Sequence, residues 1–479
     1  MEKKLKLILL NKEENVFPFW EYNEKGKVVI LHRKLISFIE SMGFVNVKLS
    51  ETRYELAKES KNRLKIVTTT DVDQAVLNYL IRIKKYDVLE SFTKGISGYL
   101  ASRKLNTLPV IEPINDRDGE IYSRFYFTNC YCEIRGEMIN VQKYDKLNQM
   151  IWENRLIDRS FNMPEGGIGQ FEIFCKKITG ESPGRFLALK TAIGYLLHRN
   201  KMVGEPKAII LYDEKMGTDN QAHGGTGKTL LSQALAKCRE VVPVDGKDVK
   251  LGSWFKNQRI NVTTDILVYD DLKKDTSLEN FYSMITSGIE VEKKQKQSFF
   301  IKPEDSPKIL ITANYPVKGP GGSSDERRRY EFELSNYFSH VWTPEMEFRC
   351  RFFTDSWGQE WDKFYLFMME CVQNYLQKGL IQPESINLNK AGIVHETSLE
   401  FYNYATDNLK VNEWLDKREF ESNFKNAYPN LDWVSSHMIK KWMGYYATST
   451  GNHLEQKSTG GKYIFRISDG SSKDEADAQ

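Results

Sequence analysis

The chain of 479 residues carries 68 lysines and arginines against 65 aspartates and glutamates, a formal net charge of +3, with 40% hydrophobic and 12% aromatic residues. This is a globular composition, long enough for roughly two to four domains. The small net charge means that any contact with a polyanion must come from local basic clusters.

No run approaches the ~18 continuous apolar residues of a membrane helix, and the opening MEKKLKLILLNKEEN holds too short an apolar run for a secretory signal. A cytoplasmic protein with no membrane partner is expected. Six cysteines are scattered, and only Cys130 and Cys132 lie close together. A single-residue spacer fits neither a zinc knuckle nor a redox CxxC, so they read as reduced thiols.

Residues 1–120 alternate short strand-like runs (Lys27 to Leu31, Arg63 to Thr68) with amphipathic helical stretches (Arg33 to Met42, Val72 to Lys84), the pattern of an α/β accessory domain. Asp116 and Asp118 in NDRDGE have the spacing of a metal-binding acid pair, but the company of Asn and Gly favours a solvent turn. No second acidic pair or zinc cluster points to a primase centre here. Residues 121–200 are expected to form a helical domain. It starts with two strands, Tyr122 to Tyr131 and Glu133 to Val141, with a turn at Arg135-Gly136, and ends in GRFLALKTAIGYLLHR, a helix apolar around most of its face.

Lys207 to Leu231, KAIILYDEKMGTDNQAHGGTGKTLL, runs from an apolar strand through a glycine-rich loop into a helix. Gly224, Gly225 and Gly227 let successive N–H groups converge on one anion, and the helix start presents its unpaired N–H groups to it. Lys228 is placed to reach the β/γ-phosphates and Thr229 to ligate Mg²⁺. The nucleotide-binding set is then Gly224, Gly225, Thr226, Gly227, Lys228, Thr229 and Leu230, with ATP and Mg²⁺ as ligands. The strict pattern wants Gly where this chain has Ala222.

In DILVYDDL, a buried strand delivers Asp270 and Asp271 at its C-terminal end, where a parallel sheet gathers its ligands. Asp270 is expected to hold the Mg²⁺ shell and Asp271 to polarise the attacking water. A helix over Ser277 to Ser287 precedes GIEVEKKQKQSFFI, whose alternation around a polar centre predicts a hairpin with Lys293, Lys294 and Lys296 at its tip, read alone as a solvated turn. KILITAN ends a further strand on Asn314, suited to hold water or sense the γ-phosphate, and DERRRYEFEL sets Arg327, Arg328 and Arg329 ahead of another strand. These complete a core over 201–345.

Residues 346–410 read as a helical lid. In 411–467 the order is helix (Lys417 to Tyr428), helix (Ser435 to Tyr446) and strand pair (Glu455 to Ile467), which suggests a winged helix. Lys440 and Lys441 would lie on its recognition helix, and Lys457, Lys462 and Arg466 on its wing. The acidic, small-residue segment 468–479 is expected to be disordered.

The succession GGTGKTLL, paired acids, lysine-tipped hairpin, KILITANY, RRRYEFEL and RFFTDSW resembles the superfamily 3 helicases, most closely the poxvirus-type primase-helicase branch of phages, plasmids and integrative elements, especially of Bacteroidetes. The resemblance extends upstream through CEIRGEMINVQKYDKLNQMIWENRLIDRSF and covers most of Ile121 to Ile467. It implies an AAA+-like ATPase, usually a hexameric ring, that moves 3′ to 5′ on single-stranded DNA and opens forks. By that resemblance Lys228 and Thr229 match motif A, Asp270 and Asp271 motif B, Asn314 motif C, and Lys293, Lys294 and Lys296 the DNA-gripping hairpin. Either Arg327 or Arg328 would be the finger. The family often carries an upstream primase, which is not expected in this chain, so a separate primase or polymerase is an expected partner. The alternative is a non-unwinding AAA+ switch that recruits a replication partner to DNA.

Overall fold

The computed structural model describes residues 17–48, 54–112, 116–202, 206–215, 225–247, 257–274, 276–292, 294 and 298–470. Ala208–Asp213, AIILYD, is buried at every position, as a strand must be when both faces of its sheet are covered. It is β1 of a five-stranded parallel sheet with β2 (Val241–Asp245), β3 (Ile266–Asp270), β4 (Lys308–Thr312) and β5 (Arg329–Leu334). The spatial order is β2-β3-β4-β1-β5, so β4 is inserted between the glycine-loop strand and the acid-bearing strand.

The two-residue side-chain period of these strands sorts their apolar groups into separate cores. Ile209, Leu211, Ile266, Val268 and Leu310 face one core with helices α1 (Gln170–Ile178), α2 (Pro183–Leu197), α3 (Lys228–Ala236) and α4 (Glu360–Lys378). Ala208, Ile210, Tyr212, Leu267, Tyr269, Ile309 and Ile311 face the other, together with the stalk of an antiparallel hairpin, Ile289–Val291 with Phe299–Ile301. The run expected as one helix over Ser277 to Ser287 is a 3₁₀ turn, Leu278–Phe281, leading into a short helix, Tyr282–Thr286.

The expected apolar helix is α2, started by Pro183 at N1 and by Ser182, whose side chain accepts from the Arg185 N–H. With apolar residues all round, it lies between the sheet and α4. The approach to α4 is so close that a Cβ at Gly194 would stand 2.1 Å from the Cys371 carbonyl oxygen.

The two strands expected at the start of 121–200 are three, with turns after Phe127 and after Arg135. Tyr122–Phe127, Tyr131–Arg135 and Ile139–Gln142 run antiparallel, and Leu156–Ile157 adds parallel to the first. Ile151–Trp152 returns to pair with Arg63–Ile66 in the sheet of the N-terminal α/β unit. The stretch expected as one lid also divides. While α4 packs on α2, helices α5 (Leu388–Glu396) and α6 (Leu399–Asn408) contribute Ile393, Phe401 and Ala405 to a C-terminal core. That core includes α7 (Lys417–Ala427) and α8 (Ser436–Ser449), with strands His453–Thr459 and Lys462–Ser468 alongside. Residues 471–479 of the acidic tail lie outside the described residues.

NDRDGE is neither a solvent turn nor a metal pair. Asp116 and Asp118 are 3% and 5% exposed, and among the described residues no cluster of three or more His, Cys, Asp and Glu forms a metal site. Asp118 accepts from Ser123 Oγ (2.5 Å), the Arg124 and Arg199 N–H groups, and Arg199 Nη2 (2.9 Å). Asp116 pairs with Arg155 (3.1 Å), whose Nη1 also reaches Asp265 at 2.6 Å. The acids that resembled ligands are ties between segments: they fasten the 116–124 stretch to the end of α2 and to the start of β3.

Burial by itself would raise the Asp118 carboxyl, but Arg199 and Arg239 overcome it and hold the group below the usual carboxylate range. A depressed native pKa contributes stability that is present above the unfolded value and lost as pH falls through the native one. Asp118→Asn leaves buried arginine charge uncompensated and is expected to cost about 3–5 kcal/mol at neutral pH. Urea unfolding of both proteins checks this, and their difference should shrink below about pH 4.

Candidate phosphate-binding site

The C-terminal edge of the central sheet gathers the polar residues that its interior excludes. β1 ends on Asp213, β3 on Asp270 and β4 on Thr312, with Asp271 and Asn314 immediately beyond. On the same edge Gly225 (φ +103°) and Gly227 (φ +114°) lead into α3, and Lys228 is its first residue. Gly227 also needs its missing side chain for space, because a Cβ there would lie 2.5 Å from Phe174 Cζ. The helix start therefore opens directly from a glycine whose N–H and carbonyl are bent away from strand geometry, with Thr229 exposed beside it.

Lys228 Nζ lies 2.5 Å from Asp213 Oδ2 and donates to Asn314 Oδ1 at 2.9 Å. The other end of the Asn314 amide donates to Asp271 Oδ1 at 2.7 Å. Lys247, beyond β2, pairs with Asp271 Oδ2 and is raised in pKa by that carboxylate. Thr226, almost fully buried, donates to Asp213 Oδ1. One polar relay thus runs Asp213, Lys228, Asn314, Asp271, Lys247 across the strand ends.

Thr312 fixes the acid pair. Its hydroxyl donates to Asp270 Oδ1 at 2.6 Å and accepts from the Asp271 N–H at 2.8 Å. Asp271 takes a left-handed backbone (φ +54°), so the chain turns sharply between the two acids. The turn aims them differently: Asp270 along the strand end against Thr312, Asp271 toward Asn314 and Lys247. Gly246 allows β2 to close on this turn, donating to the Asp270 carbonyl at 2.6 Å where a Cβ would meet the Leu272 Cα at 2.7 Å.

Of the residues expected from sequence, Lys228, Asp270, Asp271 and Asn314 come together, with Gly225, Thr226, Gly227, Thr229 and Leu230 on the loop and first helical turn. Ala222 and Gly224 lie outside the described residues, as do Lys293 and Lys296. Lys294 is exposed in the hairpin turn, and Phe300, on the outward face of its stalk, is 55% exposed.

Arg327 and Arg328 are at the other edge of the sheet. They precede β5, whose Arg329 is level with Ala208 at the start of β1. Arg327 is exposed. Arg328 donates to the Ser324 carbonyl at 2.7 Å and lies 4.7 Å over the Tyr282 ring. Arg329 is held inside the fold by Asp325 (3.0 Å) and Glu331 (2.7 Å).

In the C-terminal unit, Lys440 and Lys441 are exposed on α8. Arg466, expected on a DNA-facing wing, is buried, paired with Glu455 at 2.7 Å and 4.7 Å over the Trp414 ring, so its role is packing. Lys457 covers the same ring at 4.2 Å.

Asp213, Thr312 and Lys247 were missed in the sequence. Asp213 had a visible signal, an acid closing an otherwise apolar strand just before a glycine loop. For Thr312 and Lys247 only the pairing of strands supplies the partner. Chemically, the arrangement offers an anion a helix start and an ammonium, with two carboxylates alongside that can take a divalent cation and a water.

Residues 221–329 match a family described as "Family of unknown function (DUF5906)", well under half of the chain. No curated protein matches it. Among solved structures, the chain is similar to the A-form apo structure of the NrS-1 C-terminal region, at 12% identity and a TM-score of 0.39, covering 91% of this chain and 98% of that one. A second NrS-1 C-terminal structure, spanning its residues 305–718, gives 0.41 at the same identity, covering 90% and 98%. JCV helicase bound to a substituted acetamide gives 0.25 at 12% identity, covering 50% of this chain and 64% of that chain. Among the described residues no helix is long and apolar enough to cross a membrane.

Gly227→Ala combines a forced left-handed alanine with a clash at Phe174 and is expected to lower stability by about 1–3 kcal/mol. The midpoint of urea unfolding measures it; an unchanged midpoint would mean that the loop rearranges without cost.

Proposed function

We propose that this protein is an ATP-driven DNA helicase whose AAA+-like cores assemble as a ring, serving replication of a phage, plasmid or integrative element. The observation that carries the reading is the meeting of Lys228, Asp270, Asp271 and Asn314 at one edge of a parallel sheet, bridged by the Asn314 amide. A β4 strand between β1 and β3 is what lets the Asn314 side chain touch both Lys228 and Asp271.

Gly225, Thr226, Gly227 and Leu230 surround the phosphates with backbone N–H groups. Lys228 exchanges Asp213 for the β- and γ-phosphates, and Asp213 with Thr226 keeps the loop in place as it does so. Thr229 and Asp270 would hold Mg²⁺, which neutralises charge that develops on the phosphate oxygens. Asp271 orients and polarises the attacking water, and Asn314 links its position to that of Lys228.

Arg327 and Arg328 lie about six residues of strand from the phosphate edge, on the order of 20 Å. They are therefore suited to the γ-phosphate of a neighbouring copy, and the exposed Arg327 is the better finger. The hairpin lysines Lys293, Lys294 and Lys296 grip strand phosphates, Phe300 offers a face for a base, and Lys440 and Lys441 on a winged-helix-like C-terminal unit add duplex contacts. Translocation is 3′ to 5′, with a separate primase or polymerase as partner.

Lys228→Ala is expected to reduce DNA-stimulated ATP hydrolysis by more than about 100-fold. Replacing Lys293, Lys294 and Lys296 together by Ala should keep basal hydrolysis while ending unwinding of a 3′-tailed fork. Hydrolysis without displacement by the unaltered protein would instead favour a recruiting switch. Mixing Lys228→Ala subunits with Arg327→Ala subunits should recover part of the hydrolysis that each lacks alone, because a shared site retains one intact pairing of lysine and arginine. Absence of recovery at every ratio would place the arginine's action within one chain.

A further inference from the structure

The turn that follows β5 is fastened to the glycine loop. A Cβ at Gly225 would stand 3.1 Å from the Ser339 carbonyl carbon and 3.2 Å from the His340 nitrogen. One residue earlier, Phe338 is buried and stacked on Phe174, with 5.5 Å between centroids, and Phe174 is the ring that also meets Gly227. The turn is closed by its own hydrogen bonds. The Ser339 N–H donates to the Trp342 carbonyl at 2.9 Å, and Ser339 Oγ accepts from the Val341 and Trp342 N–H groups, each at 3.2 Å. Residues 337–342 are therefore held in place beside the loop that the nucleotide site uses.

The side chains this turn sends outward are large and mainly apolar. Tyr337 is 38% exposed, Trp342 44% and Val341 68%. Rings of this size are normally covered, and an exposed apolar group beside a polar site marks a contact surface. Both rings are nevertheless held in fixed orientation. The Trp342 indole N–H donates to Glu347 Oε2 at 2.9 Å, and the Tyr337 hydroxyl reaches both Glu347 oxygens at 3.3 Å. Glu347 lies on the short helix Pro344–Phe348, which Thr343 caps by accepting from the Met346 N–H. One carboxylate thus occupies the polar ends of both rings. Lys177 lies 4.8 Å over the Tyr337 ring, so Trp342 offers the more open face.

We infer that the Trp342 ring, flanked by Tyr337 and Val341, stacks on the base of the nucleotide whose phosphates sit at Gly225 to Lys228. The inference rests on the phosphate reading of that edge. A nucleotide anchored by its phosphates at the glycine loop carries its base one ribose away, and the 337–342 turn is an apolar surface tied to that loop. Stacking is contact through ring faces, so it favours a purine, with its larger ring system, over a pyrimidine. Glu347 acts on the ring and not on the ligand, by setting the angle at which the indole stands.

The test uses the full chain and three probes: ATP, CTP and inorganic tripolyphosphate, which has the phosphates without ribose or base. Titration calorimetry without Mg²⁺, so that nothing is hydrolysed, should show ATP binding more tightly than CTP. Trp342→Ala should weaken ATP by about tenfold, the share that one base stacked on an aromatic ring contributes, and leave tripolyphosphate affinity unchanged. Trp342→Phe should restore most of the ATP affinity. The inference is overturned if Trp342→Ala leaves ATP affinity unchanged, if it weakens tripolyphosphate as much as ATP, or if CTP binds the unaltered protein as tightly as ATP. Failure of both ATP and tripolyphosphate to bind the unaltered protein would instead remove the phosphate reading, and this inference with it.

Discussion

A single amide joins the two halves of the candidate site. Asn314 accepts from Lys228 and donates to Asp271, and it can do so only because β4 is threaded between β1 and β3. In a sheet with β1 and β3 adjacent, lysine and acid would face each other without an intermediary. Here any ligand that draws Lys228 away from Asp213 also changes what Asn314 can offer Asp271. The coupling is local, made of three hydrogen-bonded groups, and needs no motion of the sheet.

The rigidity behind that relay comes from elsewhere. Both faces of the sheet are dry, so its strand ends are the one place where carboxylates can stay hydrated enough to ionise and still sit on fixed backbone. The opposite edge is fixed by charge instead of by apolar contact: Asp116 and Asp118 tie Arg155 and Arg199, and through Asp265 the start of β3, into one buried cluster. Such a cluster is a weak source of net stability but a strict one of geometry, since each partner removed leaves the other charged and buried.

What the sequence made legible was local. The glycine loop, Lys228, the acid pair and the strand ending at Asn314 each declare themselves within a few residues, and the structure brings them together. What it left illegible depends on partners far along the chain. Asp116 and Asp118 are ligand-like in NDRDGE until Arg155 and Arg199 arrive from 39 and 81 positions away. Arg466 looks like a wing cation until Glu455 and Trp414 enclose it, and Arg329 looks like its two neighbours until Asp325 and Glu331 claim it. The split of the 346–410 helices between two cores was equally invisible, because an amphipathic face states that it is covered and not by what.

The separation of Arg327 and Arg328 from Lys228 has a geometric consequence. In a parallel sheet every strand points the same way, so residues entering β5 and residues leaving β1 are held at opposite edges by the register Ala208 with Arg329 and Asp213 with Leu334. No loop movement short of unpairing β5 brings them together in one chain. A basic group at one edge and an anion site at the other form a head and a tail, and copies that join head to tail repeat the same contact until the rotation closes. Under the proposed function, a ring would be the assembly in which every candidate phosphate edge meets an arginine, whereas an open pair would leave one edge without its complement.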